Sequence, residues 1–117
     1  MIKVLESIAP KPIRFLLKQI KMDAIVLFSR VYYLKEPESY SLHLRLHEVK
    51  HCHQWESYGI AFPFLYLSEL MMVGYKNNKF ELEAEAFARM KKAEKNLYVE
   101  TYTMSNTDYV IKCYLEG

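Results

Sequence analysis

The stretch LHEVKHCHQW, residues 46–55, decides how the rest of the chain is interpreted. It holds three of the four histidines in the protein. His47 and His51 are four residues apart, a spacing that places both side chains on one face of an α-helix. Two imidazoles one turn apart can bind the same zinc ion at about 2.0–2.1 Å. The stretch therefore predicts a zinc-binding helix with His47 and His51 as ligands.

Glu48 follows His47 directly and is rotated by about 100° from it around the helix axis. It can therefore border the metal position without having to be a ligand. A carboxylate placed there can act as a general base towards water whose pKa a metal ion has lowered. His-Glu-x-x-His on a helix is the sequence form of this arrangement. We predict Glu48 as the catalytic residue.

The neighbouring polar residues of this stretch are interpreted as non-ligands. His43 lies eight residues before His51, about 12 Å along a helix axis, so both cannot bind one ion. It is predicted to lie at the surface or on the substrate side. His53 points away from the His47/His51 face and is predicted to be solvated, and Cys52 is predicted to be a small core residue.

The flanking sequence predicts an α+β fold, mainly helical, in a single domain spanning 1–117, with a small β-sheet packed beside the HExxH helix. Prolines precede an amphipathic helix in IRFLLKQIK. The segment AIVLFSRVYYLK (24–35) is rich in β-branched and aromatic residues, which predicts one long strand with Ser29-Arg30 as the candidate position of a bend or bulge. Ser39 or Ser41 can cap the histidine helix, which ends at Gly59. Two further helices follow, at about 63–72 and 80–96. The tail predicts a hairpin, with a short final helix as the alternative.

Composition excludes some partners and compartments. A net charge of +2 without a basic run gives no reason to expect nucleic acid. Two distant cysteines and the lack of a recognisable signal peptide predict a cytoplasmic protein. The apolar window 59–75 contains a proline and a glutamate, so we expect a buried helix rather than a membrane span. Contact with a membrane surface is possible but not expected.

No histidine follows His53, so the third zinc ligand must be a carboxylate, a cysteine or a residue far upstream. The downstream carboxylates that compete for the role are Glu69, Glu81, Glu83 and Glu85. Glu81 and Glu85 share one face of the predicted helix, whereas Glu83 points elsewhere. A glutamate in the first turn, backed by a second carboxylate one turn later, suits a ligand and the residue that supports a ligand histidine.

The pair of motifs HEVKH and FELEAEAFA resembles the zincin metallopeptidases of the gluzincin type, which carry His-Glu-x-x-His on one helix and Glu-x-x-Ala on another. The same region resembles small zincin-like proteins with a glutamine three residues after the second histidine. The resemblance covers about residues 41–88. It implies that His47, His51 and Glu81 bind zinc, that Glu48 is the general base, and that Glu85 takes the place of a supporting aspartate.

The chain departs from larger peptidases of this kind in having little room for a substrate-binding subdomain. Lys50 stands where many relatives have a small residue. Candidates by residue type for a hydrogen-bond donor to the transition state are Tyr58, Tyr75 and His43.

Two functions are compatible with this pattern. The first is a zinc-dependent metallopeptidase acting on a peptide or protein substrate, with an extended peptide added to the edge of the strand at 24–35. The alternative is a non-catalytic, zinc-stabilised structural or interaction module in a larger assembly. An intact Glu48 favours the peptidase, since a purely structural site does not need that residue. We expect Glu81 to be the third ligand, because the polar loop before it lets its helix reverse alongside the histidine helix.

Overall fold

The computed structural model describes residues 2–28, 30–94, 97–103 and 108–115. They form an α+β domain with one five-stranded sheet, in the order β2-β3-β1-β5-β4. β1 and β3 are parallel, and the other neighbours are antiparallel. The strands are β1 (Ile2–Ile8), β2 (Ala24–Leu27), β3 (Arg30–Tyr33), β4 (Leu97–Thr103) and β5 (Asp108–Leu115).

Four α-helices hold more of the chain than the strands do. They are α1 (Lys11–Ile20), α2 (Leu42–Tyr58), α3 (Phe62–Val73) and α4 (Lys79–Ala93), with short 3₁₀ turns at Pro37–Ser39 and Gly59–Ala61. α2 begins where the hydroxyl of Ser41 accepts a hydrogen bond from the amide of Leu44 at 3.2 Å, and it ends at Gly59, whose φ is 60°. The side chain of Asn78 caps α4 by accepting from the amide of Phe80 at 2.9 Å.

The core places α2 between the sheet and α4. Val31 and Tyr33 of β3 pack with Leu46 and Val49 of α2 in one buried cluster. On the other side of α2, the fully buried Ala84 and Ala88 of α4 are small enough to let the two helix backbones approach closely. The polar face of α2 is thereby directed at the first turns of α4.

Several predicted elements are confirmed. The α+β class, the histidine helix with its Ser41 cap and Gly59 end, the two helices after it and the C-terminal hairpin are all present. The second of those helices ends at Ala93 rather than at Asn96.

Three expectations about the fold were wrong. The segment 24–35 contains the antiparallel pair β2 and β3 rather than one long strand. The sheet is larger than expected, because β1 was not predicted and lies at its centre. The apolar helix α3 is not buried: Phe62 is its one buried residue. None of the helices in the described ranges is long and apolar enough to cross a membrane.

A buried ion pair connects β1 to α2. The Nε of Arg45 donates to one carboxylate oxygen of Glu6 at 3.1 Å, and its Nη2 donates to the other. The same Nη2 donates to the hydroxyl of Thr101 on β4 at 3.1 Å. This pair fixes α2 to the sheet from the side opposite the histidines.

Candidate metal centre

His47 and His51 of α2 and Glu81 in the first turn of α4 converge on one point. One ligating atom from each lies within 4.8 Å of the others. The Nε2 of His47 is 2.9 Å from one carboxylate oxygen of Glu81, and the Nε2 of His51 is 3.1 Å from the other. Ligands bound at about 2.1 Å in a tetrahedral site lie roughly 3.4 Å apart. The three predicted ligands are therefore close enough together to hold a metal ion.

Gln54 fixes the tautomer of His51. Its side-chain nitrogen donates to the carbonyl oxygen of Phe80 at 3.0 Å, which orients the amide. Its side-chain oxygen lies 2.8 Å from the Nδ1 of His51. Because an amide oxygen can only accept, the Nδ1 of His51 carries a proton in this contact, and Nε2 is the ring nitrogen that faces Glu81 and is left to bind a metal ion once its own proton is released. Gln54 is 2% exposed, so water does not compete for this bond.

Glu85 contacts the Nδ1 of His47, as Gln54 contacts the Nδ1 of His51. One of its carboxylate oxygens lies 3.3 Å from the Nδ1 of His47, and the other lies 2.9 Å from the Nε2 of His43. The hydrogen bond from His43 lowers the pKa of the Glu85 carboxyl, and burial opposes it only partly. His43 is thus placed beside Glu85, one turn away from the candidate ligands.

Glu48 borders the cluster without joining it. Its side chain is 9% exposed, and no group in the described ranges donates a hydrogen bond to its carboxylate. Burial raises the pKa of Glu48, whereas the neighbouring His51 and His47 act to lower it. A buried carboxylate with free lone pairs beside a metal position is well placed to accept a proton.

Two tyrosines donate to Glu81. The hydroxyl of Tyr66 lies 2.8 Å from one carboxylate oxygen, and that of Tyr75 lies 3.3 Å from the other. Burial, followed by the charge of Glu81, raises the pKa of Tyr75 to about 12, so its hydroxyl keeps its proton at neutral pH. Sequence reasoning had named Tyr75 but missed Tyr66. The hydroxyl of a tyrosine among the aliphatic residues of α3 needs a hydrogen-bond partner. This requirement could have indicated Tyr66 as a residue of the site.

The charges of the cluster are coupled. Burial alone would raise the pKa of Glu81, but hydrogen bonds from His47 and His51 hold it well below its usual range. Burial alone would lower the pKa of both histidines, but the hydrogen bonds to Glu81 outweigh it and raise both values. Protons therefore occupy the site in competition with any cation.

Two adjoining clefts border the cluster of His47, His51 and Glu81, and together they form a groove. One cleft of about 440 Å³ is lined by β2, by Trp55 of α2 and by the inner face of α3, including Phe62 and Leu70. A second cleft of about 330 Å³ lies towards His43 and Glu85. The two clefts share four lining residues: Met22, Ala24, Glu48 and Tyr75. Glu48 and Tyr75 thus stand where the two parts meet.

The remaining candidate carboxylates are engaged elsewhere. A side-chain oxygen of Glu69 accepts from the amide of Lys79 at 3.3 Å, and Glu83 pairs with the ammonium of Lys50 at 3.3 Å.

The other residues singled out in the sequence also lie outside the cluster. Tyr58 contacts the rings of Phe62 and Phe80 and borders neither cleft. Cys52 is buried in the core, as predicted, whereas His53 is half-buried against Phe87 rather than solvated.

Comparison with models of protein families, with curated proteins and with solved structures finds no match for this chain.

Proposed function

We propose that the protein is a zinc-dependent peptidase of the zincin type. The observation that carries the proposal is the convergence of His47, His51 and Glu81 beside a buried Glu48, to which no group in the described part of the chain donates a hydrogen bond. Two imidazole nitrogens and one carboxylate oxygen form a donor set typical of catalytic zinc, which keeps a further position open. When bound, zinc would polarise a carbonyl group and lower the pKa of water.

Glu48 is proposed as the general base. It lies at the junction of the two clefts, so a scissile peptide bond crossing that junction would come within its reach. It would accept the proton of the attacking water and pass it to the leaving amine. The free lone pairs and the raised pKa of its carboxyl both suit this exchange.

Tyr75 is proposed as the donor to the oxygen of the scissile carbonyl. It lines both clefts, as Glu48 does, whereas Tyr66 lines only the larger one. Its hydroxyl is protonated at neutral pH and already directed at the metal position through Glu81. A fixed donor of this kind stabilises the negative charge that develops in the transition state.

The edge of the sheet gives an extended substrate a place to bind. β2 is the edge strand, and the hydrogen bond from the amide of Leu34 to the carbonyl of Asp23 at 2.8 Å sets its register against β3. In an antiparallel pair the bonded positions alternate, so the backbone groups of Ala24 and Val26 point away from β3. Trp55 donates a hydrogen bond to the carbonyl of Val26 at 3.2 Å, so that carbonyl is already engaged. The backbone groups of Ala24 are therefore the main candidates for hydrogen bonds to an extended peptide.

The alternative function is a zinc-stabilised, non-catalytic module of a larger assembly. The exposed surface of α3 favours it, since a partner could cover that helix. The two functions differ in what they require of Glu48, and an experiment can separate them.

The test compares wild type with Glu48→Gln, His47→Ala and a matched control, Glu56→Gln, which changes an exposed glutamate on the same helix. Protein purified without added metal should contain about one zinc per chain in all variants except His47→Ala. Hydrolysis of a broad peptide library should fall by about 10²- to 10⁴-fold in Glu48→Gln alone among the zinc-retaining variants. A wild type that holds zinc but hydrolyses nothing would favour the structural module.

A further inference from the structure

α3 presents an apolar surface that the fold does not cover. Glu69 is its one charged residue, and Phe62 is its one buried residue. Phe64, Met71 and Met72 are 72%, 79% and 78% exposed. A helix that is apolar on all sides is normally surrounded by protein or lipid. Something outside the described part of the chain is therefore expected to cover this face.

The apolar surface continues across the mouth of the groove. Met22, which is 40% exposed, lines the larger cleft together with Leu67 and Leu70 of α3. Met22 comes two residues after the end of α1, whose Phe15 and Ile20 are 66% and 46% exposed. We call the surface formed by the C-terminal part of α1, Met22 and the outer face of α3 the apolar rim.

Basic residues flank the apolar rim. The segment 11–22 contains no acidic residue and four basic ones: Lys11, Arg14, Lys18 and Lys21. Among the described residues, none of these four forms an ion pair. Lys76 and Lys79 follow α3, and Glu69 is the one acidic residue of the segment 59–80. An exposed apolar face bordered by lysine and arginine is the composition of helices that lie at the surface of anionic membranes.

We propose that the apolar rim docks on the surface of a membrane that contains anionic lipids. The phenylalanine, leucine and methionine side chains enter the boundary between headgroups and acyl chains, and the lysines contact the lipid phosphates and carboxylates. A second copy of the chain fits this surface less well, because it would bring two sets of positive charges together. Docking of this kind brings the mouth of the groove to the lipid surface, and it does not depend on peptide hydrolysis.

The test is flotation of the zinc-loaded protein with vesicles of phosphatidylcholine alone or of phosphatidylcholine and phosphatidylserine. We expect binding to the anionic vesicles that weakens as salt is added. Met72→Ser should weaken this binding on the order of tenfold, because one apolar anchor is lost. Met90→Ser is the matched control: Met90 is 57% exposed near the end of α4, away from the apolar rim. Lys18→Gln with Lys21→Gln should weaken binding to anionic vesicles by on the order of tenfold or more.

Three results would overturn the proposal. The first is that wild type does not float with anionic vesicles. The second is that Met72→Ser and Met90→Ser weaken flotation equally, which would indicate non-specific adsorption. The third is a concentration-dependent dimer in lipid-free solution that Met72→Ser abolishes, which would assign the rim to a second copy. Circular dichroism shows that each variant is folded.

Discussion

Two buried charged clusters hold α2 in place, and they differ in how their polar atoms are satisfied. Arg45 faces the sheet, where its guanidinium binds both oxygens of Glu6 and the hydroxyl of Thr101. His47, two residues later, faces α4, where it meets Glu81 beside the groove. The first cluster pairs donors with acceptors inside the protein. The second gathers lone pairs from three residues around one point.

This difference separates a structural ion pair from a site that can take a ligand. A guanidinium has only donors and a carboxylate only acceptors, so Glu6 and Arg45 neutralise each other's charge without any further group. Neutral imidazole nitrogens and a carboxylate all offer lone pairs, so the other cluster needs protons or a cation to become stable. Substitutions in the two clusters should therefore have opposite consequences.

The largest expected effect is on folding, from Arg45→Met. This change leaves the carboxylate of Glu6, which is fully buried, without a partner. Removing one member of a buried ion pair costs about 3–5 kcal/mol of unfolding free energy. Urea denaturation should show this loss, while the metal content of the folded fraction should equal that of wild type. The double variant Glu6→Leu/Arg45→Met should recover much of the stability, and a double variant as unstable as the single one would contradict this account.

Glu81→Gln should lower zinc affinity, whereas Arg45→Met should lower the free energy of unfolding. An amide oxygen is a weaker ligand than a carboxylate, and the partner that holds the two imidazoles loses its charge. We expect zinc affinity to fall by at least about a hundredfold, beyond the 10- to 100-fold that residues supporting a ligand usually contribute. Competition with a chromophoric chelator measures the affinity. Zinc affinity equal to that of wild type would remove Glu81 from the proposed ligand set.

The contrast between the two clusters also shows what the sequence could and could not predict. The histidine helix was predictable because its pattern is local: His47 and His51 are four residues apart, and that spacing places both on one face of a helix. Glu6 and Arg45 are 39 positions apart in the sequence, so no local sequence pattern predicts that they form an ion pair. Glu6 is fully buried in β1. A charged residue at a buried position interrupts the apolar pattern of the strand, so β1 was not predicted.

The hairpin of β2 and β3 was not predicted, for a different reason. Phe28, which follows β2, has a φ of 58°, a conformation that usually signals glycine or asparagine. Without either residue, the polar pair Ser29-Arg30 is the one interruption in the apolar run 24–35, and it indicated a bend or bulge within one strand rather than a hairpin turn. The helix α3 was expected to be buried because apolar composition alone does not reveal whether a partner within the chain covers it.

Gln54→Met tests the support of His51 with a smaller expected effect. The substitution keeps the volume of the side chain but removes the acceptor that fixes the tautomer of His51. Zinc affinity should fall by about 10- to 100-fold, less than in Glu81→Gln. Isothermal titration of the metal-free protein measures it. An affinity unchanged from wild type would mean that the tautomer of His51 is set by another group.

The smallest expected effect is that of Glu69→Gln, which separates the two glutamates that competed for the third ligand position. Glu69 accepts from the amide of Lys79 at the beginning of α4, so its charge stabilises the N-terminal end of that helix. Removing a carboxylate from such a position costs about 0.3–1 kcal/mol. The glutamine can still accept the same hydrogen bond, so the loss of unfolding free energy should fall at the low end of that range. Zinc affinity should stay within about twofold of the wild-type value, because the carboxylate of Glu69 contacts neither histidine. Measuring stability and zinc affinity on the same preparation distinguishes the two roles: a loss of zinc in Glu69→Gln together with zinc retained in Glu81→Gln would exchange the assignments, and the geometry of the cluster around Glu81 would then need another explanation.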